Sequence, residues 1–216
     1  MRLSSLRQTL SGREESEEPA TAGKTSSERA ARSGVSNIAV MDDRSIIAAQ
    51  IGREPRAFSR VAARCPFGLP AVSEQKPYDD EGKPFPTGFY LTCPELVAAV
   101  ARLEAAGGVE RWSEEVRKSR RLRWSLWRAN RKQRRLRRKL ARSVDRMLDG
   151  GASLGLGISG SRNTRYLKCL HAHVAFALGN PGYKVGERIV AELQPLWPAR
   201  CRSRKACGSG SNPALK

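Results

Sequence analysis

Cysteine and histidine side chains occur at seven positions, and they are the residues best suited to metal or thiol chemistry. The seven are Cys65, Cys93, Cys169, Cys201, Cys207, His171 and His173. Zn²⁺ takes four Cys or His ligands in a tetrahedron, and iron–sulfur clusters take thiolates, so this inventory suits either cofactor. The chain contains no C-x-x-C pair, so a metal site is predicted from ligand types and not from a diagnostic spacing. Plain burial of these side chains is the alternative.

Cys93 is the cysteine with the most favourable local chemistry. The segment Thr92-Cys93-Pro94-Glu95 predicts the start of a helix, because proline suits the first helical position. The helix dipole and the free N–H groups at such a terminus stabilise a thiolate. Cys93 with His171 would supply the nucleophile and base of a cysteine enzyme, but no third, orienting group can be identified. The two open hypotheses are a non-enzymatic binding protein and a thiol- or metal-dependent enzyme.

Positive charge is concentrated in one stretch of the chain. The formal net charge is +19, and residues 117–146, with 15 basic and 1 acidic side chains, contribute +14 of it. Such a concentrated field attracts polyanions, so we predict that this stretch binds nucleic acid or an acidic protein partner. Trp124 and Trp127 lie in the same stretch and could stack on unpaired bases. The candidate nucleic-acid contacts are Arg131, Arg134, Arg135 and Arg138.

The basic stretch also predicts one long helix. Apolar or buried-type residues alternate at spacings of four and three, as in a heptad seam, with Arg and Lys at most other positions. The seam residues are Leu122, Leu126, Ala129, Gln133, Leu136 and Leu140, with Val144, Met147 and Leu148 extending the pattern toward Gly150. A structural helix whose arginines form only a solvated face is the alternative to polyanion binding.

The remaining pattern predicts an α+β fold that is mostly helical, with a short β-hairpin near residues 69–92. Further helices are expected from Asp42 or Asp43 to Gly52, from Cys93 to Gly107–Gly108, and over about 185–193. Residues 56–63 fit either a short strand or a turn. Gly155–Gly160 matches G-x-G-x-x-G, but it follows a charged helix and not a strand, so we interpret it as a connector and not as a dinucleotide site.

A helix over about 166–178 creates a conflict between the two histidines. It would place Cys169 and His173 on one face, as chelation requires, and His171 on nearly the opposite face. A helix that starts at or after Cys169 removes the conflict.

The domain organisation is predicted as a disordered extension (1–40), a single globular domain (41–195) and a flexible basic tail (196–216). Met41 opens the patterned region and is a candidate translation start. No run of about 18 apolar residues and no apolar signal-peptide core is present, so we expect a cytoplasmic protein without membrane insertion.

Several segments resemble a bacterial family known as domain of unknown function 501. They are Arg64-Cys65-Pro66-Phe67-Gly68-Leu69-Pro70, Pro84-Phe85-Pro86-Thr87, Tyr90-Leu91-Thr92-Cys93-Pro94, Leu103-Glu104 and Lys168-Cys169-Leu170-His171. The resemblance implies no established activity, but it favours Cys65, Cys93, Cys169 and His171 as the metal ligands. His173 and Cys201 lie nearby, outside the matching segments, and are further candidates. The chain departs from the family pattern at Gly88, where an apolar residue is expected, and in the strongly basic character of residues 117–146.

Overall fold

The computed structural model describes residues 42–162 and 165–201. The helices are α1 (Asp43–Ile51), α2 (Pro94–Ala105), α3 (Gly108–Lys118), α4 (Arg120–Leu140), α5 (Leu170–Gly179) and α6 (Lys184–Glu192). The strands are β1 (Phe58–Arg64), β2 (Pro70–Gln75) and β3 (Phe89–Leu91). The predicted α+β class is therefore confirmed. The predicted extension, residues 1–40, lies outside the described residues.

The three strands form one antiparallel sheet in the order β1-β2-β3. Val72 of the central strand pairs with Ala63 of β1 and with Leu91 of β3, and all six residues of β2 are buried. The predicted hairpin near residues 69–92 corresponds to β2 and β3. The third strand, β1, covers the segment that the sequence left open between strand and turn.

Helix α5 lies at the centre of the core and packs on the sheet. Its residues from Ala172 to Ala177 are all buried, and the ring of Phe176 meets that of Phe89 edge to face with centroids 5.4 Å apart. Helix α6 packs closely beside α5 because Gly186 has no side chain. A Cβ at Gly186 would lie only 2.6 Å from the Cβ of Ala177.

Helix α4 is the predicted long basic helix, but it is shorter than the apolar pattern indicates. Ser119 separates it from α3 with an extended backbone, and the Ser119 hydroxyl accepts a hydrogen bond of 3.3 Å from the Leu122 N–H. After Leu140 the chain forms a 3₁₀ turn, and the Leu148 N–H then donates to the Gly82 carbonyl at 3.0 Å. The chain thus leaves the helix at Leu140 and contacts a distant loop at Leu148, and the local apolar pattern does not encode that contact.

The second half of α4 buries polar side chains. Asn130 and Arg137 are 2% and 1% exposed, respectively. The Asn130 Oδ1 accepts a hydrogen bond of 2.8 Å from the Ile158 N–H, and an Arg137 guanidinium N–H donates to the Phe85 carbonyl at 2.8 Å. The glycine-rich segment is therefore a connector that α4 anchors, and these bonds fix the rotation of α4 about its own axis.

Gly88, the position where the family resemblance predicts an apolar residue, lies against another buried polar side chain of α4. A Cβ at Gly88 would come within 2.2 Å of the Gln133 Nε2. Because the Gln133 amide occupies this space, a side chain at position 88 requires Gln133 to move.

The end of the described chain packs on the core. Leu196 and Trp197 are partly buried against it, so the segment predicted as a flexible tail begins with packed residues. Residues 202–216 lie outside the described part. Every helix between residues 42 and 201 that the structure describes is too short or too polar to cross a lipid bilayer.

Candidate functional site

Three side chains that can ligate a metal converge at the start of α5. Glu104, near the end of α2, together with Cys169 and His171, offers ligand atoms that all lie within 4.8 Å of one another. Helix α5 begins at Leu170, with Cys169 as its N-cap. Cys169 and His171 are therefore not held on opposite faces of one helix, and the conflict expected from an earlier helix start does not arise. We call these three residues the Glu-Cys-His cluster.

His171 makes a polar contact through each ring nitrogen. Its Nδ1 lies 3.2 Å from Oε2 of Glu104, and its Nε2 lies 3.2 Å from the carbonyl oxygen of Val97. The hydrogen bond with Cys169 and the negative charge of Glu104 outweigh burial and raise the pKa of His171 to about 9. Because a carbonyl only accepts, Nε2 must carry a proton. With a pKa of about 9, the imidazole of His171 is protonated at neutral pH.

Glu104 also caps α5 from outside the helix. Its Oε1 accepts hydrogen bonds from the Leu170 N–H at 2.5 Å and from the His171 N–H at 3.4 Å. The N-cap residue Cys169 makes no side-chain cap bond of its own. A carboxylate at a helix N-terminus is stabilised by the free N–H groups and the helix dipole. Glu104 therefore positions the first turn of α5 as well as the ring of His171.

The other predicted ligands lie elsewhere. Cys65, Cys93 and Cys201 line a separate, small cavity beside Trp197 and are not members of the Glu-Cys-His cluster. His173 is 2% exposed, and its Nδ1 lies 2.8 Å from the Tyr183 hydroxyl. Burial alone lowers the pKa of His173 to about 3. The structure thus brings together two of the four preferred ligands and adds Glu104 to them.

A cationic groove of about 830 Å³ runs between α4 and the turn that joins α5 to α6. Asn180 and Tyr183 line it on the side of the turn, and Ser125 on the side of α4. The Ser125 hydroxyl ties the two walls together by accepting a hydrogen bond of 2.9 Å from the Lys184 N–H. Six basic side chains line the groove: Arg121, Arg128, Arg131, Lys132, Arg135 and Lys184.

Two stacked tryptophans form the edge of this groove. The rings of Trp124 and Trp127 lie 4.8 Å apart at an angle of 14°, and the guanidinium of Arg131 lies 5.5 Å from the Trp127 ring centroid. Trp124 is 57% exposed and Trp127 is 40% exposed. Both rings also border a second cleft, which Arg120, Arg123 and Arg165 line as well. The tryptophan pair therefore lies between two cationic clefts.

Among residues 42–162 and 165–201, no carboxylate neutralises the charge of α4. The helix contains eleven Arg and Lys residues and no Asp or Glu, and Arg137 is the one basic residue of the eleven that is buried. In the part of the chain that the structure describes, none of these eleven side chains forms an ion pair with a carboxylate. Ten cations of one sign on one helix leave an electrostatic field available to an external anion.

Residues 61–191, more than half of the chain, match a family model described as protein of unknown function (DUF501). The chain belongs to this family. No curated protein and no solved structure matches the chain significantly. The matched range of this DUF501 protein contains the whole of α4 and all three members of the Glu-Cys-His cluster.

The predicted nucleic-acid contacts of this DUF501 protein take different positions. Arg131 and Arg135 line the groove. Arg134 donates a hydrogen bond of 2.9 Å from its Nε to the Gly155 carbonyl, so one of its guanidinium N–H groups already has a partner within the fold. Arg138 is exposed near the end of α4. Sequence reasoning missed Lys184 on the opposite wall, because only the fold brings that residue to the groove.

Proposed function

We propose that this protein binds single-stranded nucleic acid through the cationic groove of α4. The observation that carries this proposal is the exposed, stacked pair of Trp124 and Trp127 between two clefts lined by basic side chains. Stacking platforms beside a positively charged groove are the common device of proteins that bind single strands without strong sequence preference.

The exposure of the tryptophan pair supports a binding role. Large aromatic side chains are costly to leave in water, and exposed apolar patches rimmed by polar groups mark interaction sites. The chain has a buried core available, yet it places these two rings at 57% and 40% exposure. The guanidinium of Arg131 lies over the Trp127 ring, so a cation that can pair with a backbone phosphate is held beside the stacked rings.

A single strand fits these features better than a duplex does. Paired bases hide their faces inside the helix stack, so the two tryptophans would find no stacking partner on duplex DNA. Unpaired bases expose their faces, and their backbone phosphates can follow the row of cations. A helix of 21 residues is about 31 Å long, which is sufficient for several nucleotides.

Trp124→Ala and Trp127→Ala test the proposal when binding is measured with a fluorescein-labelled single-stranded oligonucleotide. Loss of one stacked base costs about 1–3 kcal/mol, so each substitution should weaken binding by about 5- to 150-fold. Leu148→Ala is the matched control, because Leu148 is 53% exposed and does not line either cleft. It should leave the dissociation constant unchanged.

Three competitors separate the alternatives in the same assay. Duplex DNA of equal length, heparin and vesicles containing phosphatidylserine offer negative charge without unpaired bases. The proposal expects the single strand to bind most tightly and the tryptophan variants to remove that advantage. Equal affinity for all polyanions, with no effect of either tryptophan substitution, would show that the surface responds to charge alone and would refute it.

A further inference from the structure

We infer that the Glu-Cys-His cluster is a zinc site with three protein ligands and one open coordination position. This inference rests on the cluster alone and is independent of the nucleic-acid proposal. Its ligand atoms are the Glu104 Oε2, the Cys169 Sγ and the His171 Nδ1. The side chains of Glu104 and His171 are each 26% exposed, so the cluster is open to solvent on one side and enclosed by protein on the other.

The separation of the ligand atoms suits a tetrahedral ion. Nitrogen and oxygen ligands bound to zinc at about 2.0–2.2 Å are separated by about 3.4 Å along the edge of a tetrahedron. The His171 Nδ1 and the Glu104 Oε2 are 3.2 Å apart. A thiolate at about 2.3 Å from the metal would lie about 3.6 Å from the other two atoms. The Cys169 Sγ lies within 4.8 Å of the other two ligand atoms, so a small movement of its side chain is enough to reach this geometry.

Both the histidine and the carboxylate have the supporting contacts that metal ligands need. The Val97 carbonyl accepts a hydrogen bond from the Nε2–H of His171, which leaves Nδ1 for the metal. The Leu170 N–H holds Oε1 of Glu104 and leaves Oε2 for the metal. Second-shell contacts of this kind orient a ligand before the ion arrives, and their loss typically weakens binding by about 10- to 100-fold.

The exchange of charge is balanced. Zn²⁺ binds a thiolate, a carboxylate and an unprotonated imidazole nitrogen, so its binding releases any proton held on the Cys169 Sγ or the His171 Nδ1. The bound Zn²⁺ then faces one thiolate and one carboxylate, so the half-buried site has no net charge. A single thiol is too few for an iron–sulfur cluster, whose irons need several thiolates, and a thiolate disfavours Mg²⁺ and Ca²⁺. Three protein ligands leave the fourth position to water or to an atom of a substrate.

Titration of the full chain with Co²⁺ tests the site, because tetrahedral Co²⁺ reports its geometry and its sulfur ligand by absorption. We expect one equivalent to bind with a thiolate-to-cobalt charge-transfer band, and Zn²⁺ to displace it. Cys169→Ser should remove that band, and His171→Gln should weaken binding by more than about 100-fold. Cys65→Ser, at a buried cysteine outside the cluster, is the matched control and should keep both the band and the affinity.

Glu104→Gln separates ligation from folding. The glutamine amide oxygen can still accept the hydrogen bond from the Leu170 N–H and so cap α5, but it lacks the charge of a carboxylate ligand. We expect the thermal unfolding temperature of this variant to stay close to that of wild type and its affinity for Co²⁺ to fall. Binding that survives Cys169→Ser but is lost in Cys65→Ser would overturn the assignment, and so would the absence of stoichiometric Co²⁺ binding by the folded wild-type chain. Neither result would bear on the nucleic-acid proposal, which is tested separately by the Trp124 and Trp127 substitutions.

Discussion

The salt dependence of binding can be calculated from the cationic groove. Each phosphate that a protein neutralises on a single strand contributes about −0.7 to the slope of log K against log salt concentration. Six basic side chains line the groove, so full engagement predicts a slope of about −4. Between 50 and 200 mM salt, the affinity for a single-stranded oligonucleotide should then fall by about 300-fold.

A double substitution tests whether these particular cations are responsible. Arg128→Gln with Lys132→Gln removes two groove charges without touching Arg131, which lies on the Trp127 ring. The slope should become less steep by about 1.4. Fluorescence anisotropy at five or six salt concentrations measures it.

The matched control neutralises two exposed basic residues outside the groove, Arg56→Gln with Arg102→Gln. Long-range screening predicts only a small effect for these, because exposed charges farther away than about 8–10 Å are largely screened at physiological salt. An unchanged slope in the groove variant, or an equal reduction in the control, would refute the assignment of phosphate contacts to this groove.

Two further predictions concern the core. His173 is buried and its pKa is lowered to about 3, so its stabilising contribution is complete above its unfolded pKa of about 6.5 and is lost as the pH falls toward 3. The free energy of unfolding in urea should therefore favour wild type over His173→Gln by about 2 kcal/mol less at pH 5 than at pH 7. His171 titrates in both proteins, so its contribution cancels in this difference. A difference independent of pH would contradict a neutral buried ring. Gly88→Ala should destabilise by about 1–3 kcal/mol because the new Cβ overlaps Gln133, and the same change in a Gln133→Ala background should cost under about 1 kcal/mol. Equal costs in both backgrounds would show that the overlap is relieved elsewhere.

Features encoded by neighbouring residues were predictable from the sequence. Asp42 caps α1 through the Ser45 N–H, and Pro94 opens α2, as their types and positions indicate. The tryptophan pair follows from a spacing of three on a helix. The end of α4 was not predictable, because the apolar pattern continues past Leu140 while the chain leaves the helix there. At Leu148 the chain donates a hydrogen bond to Gly82, in a loop more than sixty residues earlier.

The candidate site likewise combines residues that the sequence indicates with contacts that only the fold brings about. Residue types gave a set of Cys and His candidates, and the family resemblance favoured Cys169 and His171 among them. Glu104 was missed as a ligand because it reaches the first turn of α5 from 66 residues away, and a carboxylate carries no signal of such a contact. Its place in the family-like segment Leu103-Glu104 was the one hint available. Cys65 and Cys93 have the right chemistry, but the β-sheet and α2 direct them to another cavity.

Helix α5 physically connects the two proposed binding regions. Its first turn carries Cys169 and His171, while Phe176 and Asn180 at its far end line the groove. A helix of ten residues is a rigid rod of about 15 Å, so a displacement of its first turn must also move the opposite end. Occupancy at one end can therefore alter affinity at the other, and oligonucleotide affinity is best compared between chelator-treated and metal-loaded protein.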